Sequence, residues 1–277
     1  MITDAQVHLW PPETPSRPWT PDGARRAHLK EPMTYPDMLK TMDLVGVDRV
    51  IIVPPSWEGD RNDYALEAAR RHPDRFAVMG RIALNDPASV ELVKRWFDDR
   101  GMLGARINFS DDKAKWLEDG TADWFWAEAE AASIPVMMHA PGYQETIGDI
   151  AANHSKLRIV VDHMNLSTRL AKNEIPAAIE ATAALATHPN ISVKLSSIPA
   201  YSAGPFPYSD MDDHIAKLVS AFGAERCFWG SDLSHGKGNI PYKHYVNHFK
   251  EHLPFLSASQ RSLILGDAIK RFLGWPR

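Results

Sequence analysis

The sequence predicts an α/β protein folded as a single (β/α)8 TIM barrel, and three observations carry that expectation. Short runs rich in Val, Ile and Met alternate with longer stretches of helical spacing. Eight such runs can be counted along the 277 residues. Parallel strands need crossover connections, so strands separated by helices imply a parallel sheet. The runs also show little polar alternation, as expected of strands covered on both faces. The count of eight favours a closed barrel over an open doubly wound sheet. An open dinucleotide-binding sheet would want glycines after its first strand. Here the chain reads His8-Leu9-Trp10-Pro11-Pro12.

In order, the expected strands are Ile2–Trp10, Arg49–Pro54, Phe76–Ala83, Leu103–Phe109, Pro135–His139, Arg158–His163, Ile191–Leu195 and Cys227–Ser231. Helical spacing between them predicts helices at Tyr35–Val45, Asp63–Arg71, Ala88–Asp99, Ala122–Ala132, Ile147–His154, Ile175–Thr187 and Met211–Phe222. The connection Pro11–Met33 is rich in Pro, Arg and Trp. Loops of that length in compact domains are functional or disordered, and this one is expected to lie over the barrel mouth. No Gly- or Ser-rich linker interrupts the chain, so one domain over residues 1–277 is expected.

Composition narrows the function classes. A net charge of -4 gives no basic face for nucleic-acid phosphates. Cys227 is the single cysteine, so no intrachain disulfide forms, and its run Cys227-Phe228-Trp229 reads as inert core. Met1-Ile2-Thr3-Asp4 lacks the basic and apolar regions of a signal peptide, and no apolar run spans a bilayer. The default is a cytoplasmic protein with a small-molecule partner and no membrane partner; homo-oligomerisation is left open.

Barrel enzymes build active sites at the C-terminal ends of their strands, and polar residues gather at those ends here. Gln6 and His8 lie on strand 1, Arg81 on strand 3, and Arg106 and Asn108 on strand 4. His139 ends strand 5, Asp162, His163 and Asn165 come from strand 6, Lys194 from strand 7 and Asp232 from strand 8. Gln6 and His8 are two apart and share a face, with Asp4 expected one step deeper on it as a structural carboxylate or one that supports the site from behind. Asp162 and His163 are adjacent, so they are expected on opposite sides, His163 toward the barrel and Asp162 toward the helices.

These residues also fall in segments that resemble a known family. Asp4-Ala5-Gln6-Val7-His8 is similar to the Asp-x-His-x-His opening of the amidohydrolase superfamily. Pro135-Val136-Met137-Met138-His139 resembles its strand-5 histidine, and Val161-Asp162-His163-Met164-Asn165 its strand-6 histidine. Gly230-Ser231-Asp232-Leu233-Ser234-His235 resembles the strand-8 segment of the amidohydrolase-2 branch, which holds sugar-acid lactonases, pyrone-dicarboxylate lactonase and carboxylate decarboxylases. The tail from Ile264 to Gly274 is similar to that branch's C-terminal helix. The resemblance implies a metallo-dependent-hydrolase-like barrel with Asp232 as general base toward water, assisted by His8, His139 and His163. A helix N-cap is the other use open to Asp232.

The same resemblance implies a divalent metal, zinc by preference, held by His8, His139 and Asp232. One departure bears on it: the first histidine of the opening motif is Gln6. A carboxamide is a poor zinc ligand, though three ligands plus water would still make a catalytic site. One metal ion or none are both left open. Arg106 suits a carboxylate, as a substrate anchor or in a barrel-end salt bridge. Arg81 and Arg17 could add positive charge. Asn108, Asn165, Lys194 and His235 are further substrate-binding candidates, Lys194 more as an ion-pair partner than a Schiff base and His235 alternatively as a helix cap. Trp10, Trp57 and Tyr201 could wall a pocket. Cations with aromatic walls suggest a small anionic cyclic substrate, and the resemblance to the branch implies a cyclic ester, a lactone of a sugar acid or a pyrone carboxylate. The alternatives are a metal-dependent decarboxylase of an aromatic or unsaturated carboxylic acid, a lactone isomerase, and a non-catalytic ligand-binding barrel.

Overall fold

The structure, a computed structural model, describes residues 1–235 and 240–275. Eight parallel strands pair in chain order: β1 (Thr3–Val7), β2 (Arg49–Ile52), β3 (Phe76–Gly80), β4 (Met102–Asn108), β5 (Val136–His139), β6 (Ile159–Val161), β7 (Ile191–Ser196) and β8 (Cys227–Gly230). The last strand returns beside the first, where Asp232 donates its backbone N–H to the Gln6 carbonyl at 2.9 Å. Gly230 permits this approach, since a Cβ there would meet Gln6 N at 3.2 Å. The ring therefore nearly closes, and Asp232 sits on its seam.

The two-sided burial read from composition has a direct structural counterpart. Ala5, Ile51, Ala77, Met79, Met137, Val160 and Phe228 fill the interior together with Ile269, Leu273 and Trp275 near the C-terminus. Val50, Ile52, Phe76, Val78, Val136 and Val161 face the surrounding helices in the larger apolar layer. The helix Tyr35–Val45 begins where Thr34 accepts the Asp37 N–H and ends at Gly46 with φ 73°. Tyr35–Val45 and Asp63–Arg71 have the expected bounds, whereas the stretch expected at Ala88–Asp99 holds a helix only over Ser89–Lys94. Helix Tyr242–Glu251 was not expected; its polar composition hides it, although Tyr242, Tyr245, Val246 and Phe249 form a buried face.

Expected strands 1 and 6 run past the observed ones at their C-terminal ends, strand 5 ends at His139 as expected, and strand 7 runs one residue further, to Ser196. Strand 1 stops at Val7 and strand 6 at Val161. The face expected for Asp4 needs correction, while its structural use does not. The β1–β2 register shifts between Asp4 and Val7, and such an irregularity breaks strict alternation. Ala5 joins the interior cluster, whereas Asp4 accepts from the Tyr242 hydroxyl at 2.7 Å and from Ser231 N at 2.8 Å. Asp4 thus ties the seam to the helix Tyr242–Glu251.

The Pro11–Met33 connection is fastened to the loop after β2. Arg17 donates to Glu58 at 2.7 Å and pairs with Asp63 at 2.6 Å, and Thr20 N donates to the Trp57 carbonyl at 2.9 Å. Cys227 is fully buried, and that burial raises its thiol pKa, consistent with an inert core residue. Among the described residues, no helix is long and apolar enough to cross a membrane.

Candidate active site

Three neighbouring strands end in left-handed backbone. His163, Met164 and Asn165 after β6, Ser197 after β7 and Asp232 after β8 all have φ between 55° and 58°. Non-glycine residues rarely adopt this conformation, and its clustering is a mark of functional sites. It also corrects the expectation for strand 6. The chain leaves strand geometry after Val161, so alternation no longer applies, and both Asp162 and His163 turn inward. Asp162 is fully buried and pairs with Lys194 at 2.7 Å and with Arg106 at 3.2 Å.

Asp232 is the centre of the arrangement. One carboxylate oxygen lies 3.1 Å from His8 Nε2. The other accepts from the Ser197 hydroxyl at 2.6 Å and lies 3.4 Å from His235 Nδ1 and 4.0 Å from His163 Nδ1. Burial alone would raise this carboxyl, but the imidazoles of His163, His8 and His235, when protonated, more than reverse it and pull it well below its ordinary value. His8 Nδ1 donates to the Val53 carbonyl at 2.7 Å, so its Nε2 and Asp232 meet across a single proton. Burial drives the imidazole of His163 well below its ordinary pKa and that of His139 to about 4, which makes both rings neutral near pH 7.

Above Asp232 lies a cavity of about 190 Å³. His8, His139, His163, Asp232, His235, Arg81, Arg106 and Asn108 line it, with Trp57 and Tyr201 as aromatic wall. Arg106 pairs with Asp162, the ion-pair use left open for it, and its side chain also lines the cavity. Burial brings the Arg81 guanidinium down to about 10, with Asp60 at 3.3 Å opposing, so it stays charged near neutral pH.

Several candidates lie elsewhere. Lys194 has no exposed surface; it is sealed beneath the site against Asp162, Gln6 and Met137 and cannot touch a substrate. Asn165 spends its carboxamide on the backbone N–H and carbonyl of Ala140. Trp10 is buried behind Trp57, edge to face at 4.9 Å, so Trp57 alone of the two reaches the cavity. Arg17 is consumed by Glu58 and Asp63. Sequence reasoning missed two residues. His28, from the Pro11–Met33 connection, lines the cavity beside Trp57 and bonds Ser234 at 2.9 Å. Ser197 lies one residue beyond β7, and the only signal for it was its place after Lys194-Leu195-Ser196.

A divalent ion at this site would need free lone pairs on His8, His139 and Asp232. His139 donates Nε2–H to the Leu166 carbonyl at 2.9 Å, which leaves Nδ1 as the acceptor of the neutral ring, 3.3 Å from the Asn108 carboxamide. Its Nε2 is therefore not free to join His8 and Asp232. The Gln6 oxygen is held by Lys194 at 2.8 Å, which turns its NH2 group toward Asp232. Among the described residues, no group of three or more His, Cys, Asp or Glu side chains could hold a metal ion. As arranged, these residues do not fit one.

A parallel barrel with a strand-end carboxylate ringed by imidazoles defines the class of protein. The chain belongs to the amidohydrolase family, whose sequence profile matches residues 3–275, and it is an enzyme of that superfamily. It is similar to an L-fucono-1,5-lactonase of Burkholderia ambifaria, 26% identical over 285 residues that cover 98% of this chain and 89% of that protein. It is also similar to a 4-sulfomuconolactone hydrolase of Rhizobium radiobacter, 26% identical over 216 residues that cover 74% of this chain and 69% of the other. A solved amidohydrolase from Burkholderia multivorans with bound zinc shares the fold, with a TM-score of 0.81, 20% identity and full coverage of both chains.

Proposed function

We propose that this chain hydrolyses a small anionic lactone, with Asp232 as the general base. The observation that carries the reading is a buried Asp232, bonded to Ser197 at 2.6 Å, on the floor of a cavity walled by Arg81 and Arg106. A general base must be ionised at working pH and within hydrogen-bond reach of its water. Two guanidiniums suit a carboxylate-bearing substrate. The relatives named for lactone chemistry support the same reading.

The reaction balances with the chain's own groups. Asp232 takes a proton as water adds to the lactone carbonyl carbon. The carbonyl oxygen gains negative charge, which the positive field of the guanidiniums lining the cavity stabilises. The ring C–O bond then breaks, and the departing oxygen takes the proton from Asp232. The product is an open-chain hydroxy acid. His139 and His163 shape the cavity as neutral rings, His235 borders Asp232, and Asn108 orients His139. Pro11–Met33 covers the mouth through His28 within one catalytic domain over residues 1–277. No metal takes part in this scheme.

The test is a screen of aldonic lactones and pyrone carboxylates, read by the acid released and by uptake of labelled oxygen from water into the product carboxylate. Ring opening by metal-stripped protein supports the reading. Loss of carbon dioxide from an aromatic carboxylate, with a metal required and no ring opened, overturns it in favour of a decarboxylase.

A further inference from the structure

We propose that Gln6 and Ser197 are positioning residues in a one-way hydrogen-bond chain, from Lys194 through Gln6, His163 and Ser197 to Asp232, which fixes His163 as its Nδ1–H tautomer and orients the Asp232 carboxylate. The direction follows link by link from what each group can donate. An ammonium has only donors, so the atom of Gln6 lying 2.8 Å from Lys194 Nζ must be the carboxamide oxygen. The Gln6 nitrogen is then committed to the other side, 3.2 Å from His163 Nε2 and 3.5 Å from Asp232 Oδ1. It donates, so His163 Nε2 accepts with its lone pair. A neutral imidazole carries one N–H, and here it falls on Nδ1.

His163 Nδ1 lies 2.8 Å from Ser196 Oγ and 3.0 Å from Ser197 Oγ. The Ser197 hydroxyl proton is already given to Asp232 Oδ2 at 2.6 Å. Toward His163, Ser197 can therefore only accept. Every proton in the chain thus points the same way, and Asp232 is its terminal acceptor. Lys194 is the rigid start, because the fully buried Asp162 lies 2.7 Å from its Nζ. The left-handed φ of 58° at Ser197 and 55° at both His163 and Asp232 aims the later members at one another.

Gln6 also explains why the site presents N–H groups where a cation would need lone pairs. A carboxamide could reverse in isolation; the buried ammonium of Lys194 prevents it. The tautomer stands on hydrogen-bond chemistry alone, whereas its effect on rate rests on the lactonase reading.

The test uses the full chain labelled with 15N in its imidazoles, without substrate. The His163 signals are assigned by their loss in His163→Asn. The wild type is expected to show a protonated Nδ1 and an unprotonated Nε2 at His163. Gln6→Met removes the donor to Nε2. Ser197→Gly removes the hydroxyl at a backbone angle that glycine tolerates. Each variant is expected to collapse the separation between the two ring-nitrogen shifts as the tautomers mix. In an active lactonase each should lower kcat by about 10²-fold with KM held, the scale seen when one positioned donor is removed. A wild-type His163 protonated at Nε2, or ring shifts unchanged in both variants, overturns the proposal. A wild type with the expected tautomer that opens no lactone refutes the functional reading and leaves the hydrogen-bond chain standing.

Discussion

At the N-terminal end of the barrel, Ile269, Leu273 and Trp275 pack against Phe228 and close the interior with apolar surface. At the C-terminal end, the same interior continues as Gln6, Lys194, Asp162 and Asp232, all buried and polar. The lower end gains from each methylene it buries. The upper end takes charges out of water and offsets that cost only by completing its hydrogen bonds. Three of its strands also finish in left-handed turns at His163, Ser197 and Asp232, which store strain. One end stabilises the fold, and the other draws on that stability to hold groups for chemistry.

Substitutions at the two ends should therefore separate stability from activity. The largest effect is expected for Asp232→Asn. Turnover of a lactone substrate should fall by about 10⁴-fold, the upper range for loss of a general base. The fold should survive, because the variant keeps an acceptor for Ser197; it loses the contacts that hold the carboxylate ionised, so melting should show a temperature at or below that of the wild type but still a cooperative transition. Ile269→Ala is the opposite case. It leaves a cavity at a site only 1% exposed and should cost about 2–5 kcal/mol of stability. Below the melting transition, kcat should stay at the wild-type value. A marked loss of kcat in Ile269→Ala without unfolding would dissolve the division between the two ends.

The lower end and the strand order were legible in the sequence, because burial on two faces leaves continuous apolar runs. Asp232, His8 and His163 were legible because strand ends point to one mouth. What escaped the sequence depends on backbone that has left strand geometry. Asp162 faces inward because the chain turns after Val161. Ser197 reaches Asp232 from a left-handed turn, and His28 arrives from a connection with no periodicity. Lys194 was visible as a strand residue, but its burial was not, since that depends on Gln6, Asp162 and Met137, which are remote in sequence.

Between the two ends, on the seam of β1 and β8, Asp4 provides a pH signature. Burial raises its carboxyl from 3.8 to about 6 in the folded chain, against hydrogen bonds from Ser231, Tyr242 and Gln6. The folded state thus binds this proton more tightly than the unfolded chain does. The contribution to stability is complete below pH 3.8 and is lost as the pH rises through about 6. At neutral pH the loss amounts to about 3 kcal/mol, at 1.36 kcal/mol per unit. Denaturant unfolding from pH 4 to pH 7 should show the stability of the wild type falling relative to Asp4→Asn by an amount of that order. A flat difference would mean that Tyr242 and Ser231 keep the carboxylate ionised at no cost.

The smallest effect belongs to Arg106, where the polar layer meets the cavity. Lysine at this position would keep the positive charge and could still pair with Asp162, so Arg106→Lys should fold normally. It would lose the planar fork, and with it the capacity to hold Asp162 through Nε while presenting its remaining nitrogens to a substrate carboxylate. KM for an anionic lactone should rise about 10-fold, the loss of one good charged hydrogen bond, and kcat should fall less. A neutral lactone of the same ring size should show no change in KM. Equal losses for both lactones would instead place the role of Arg106 in the buried pair with Asp162, and would move the upper boundary of the structural layer to the cavity wall itself.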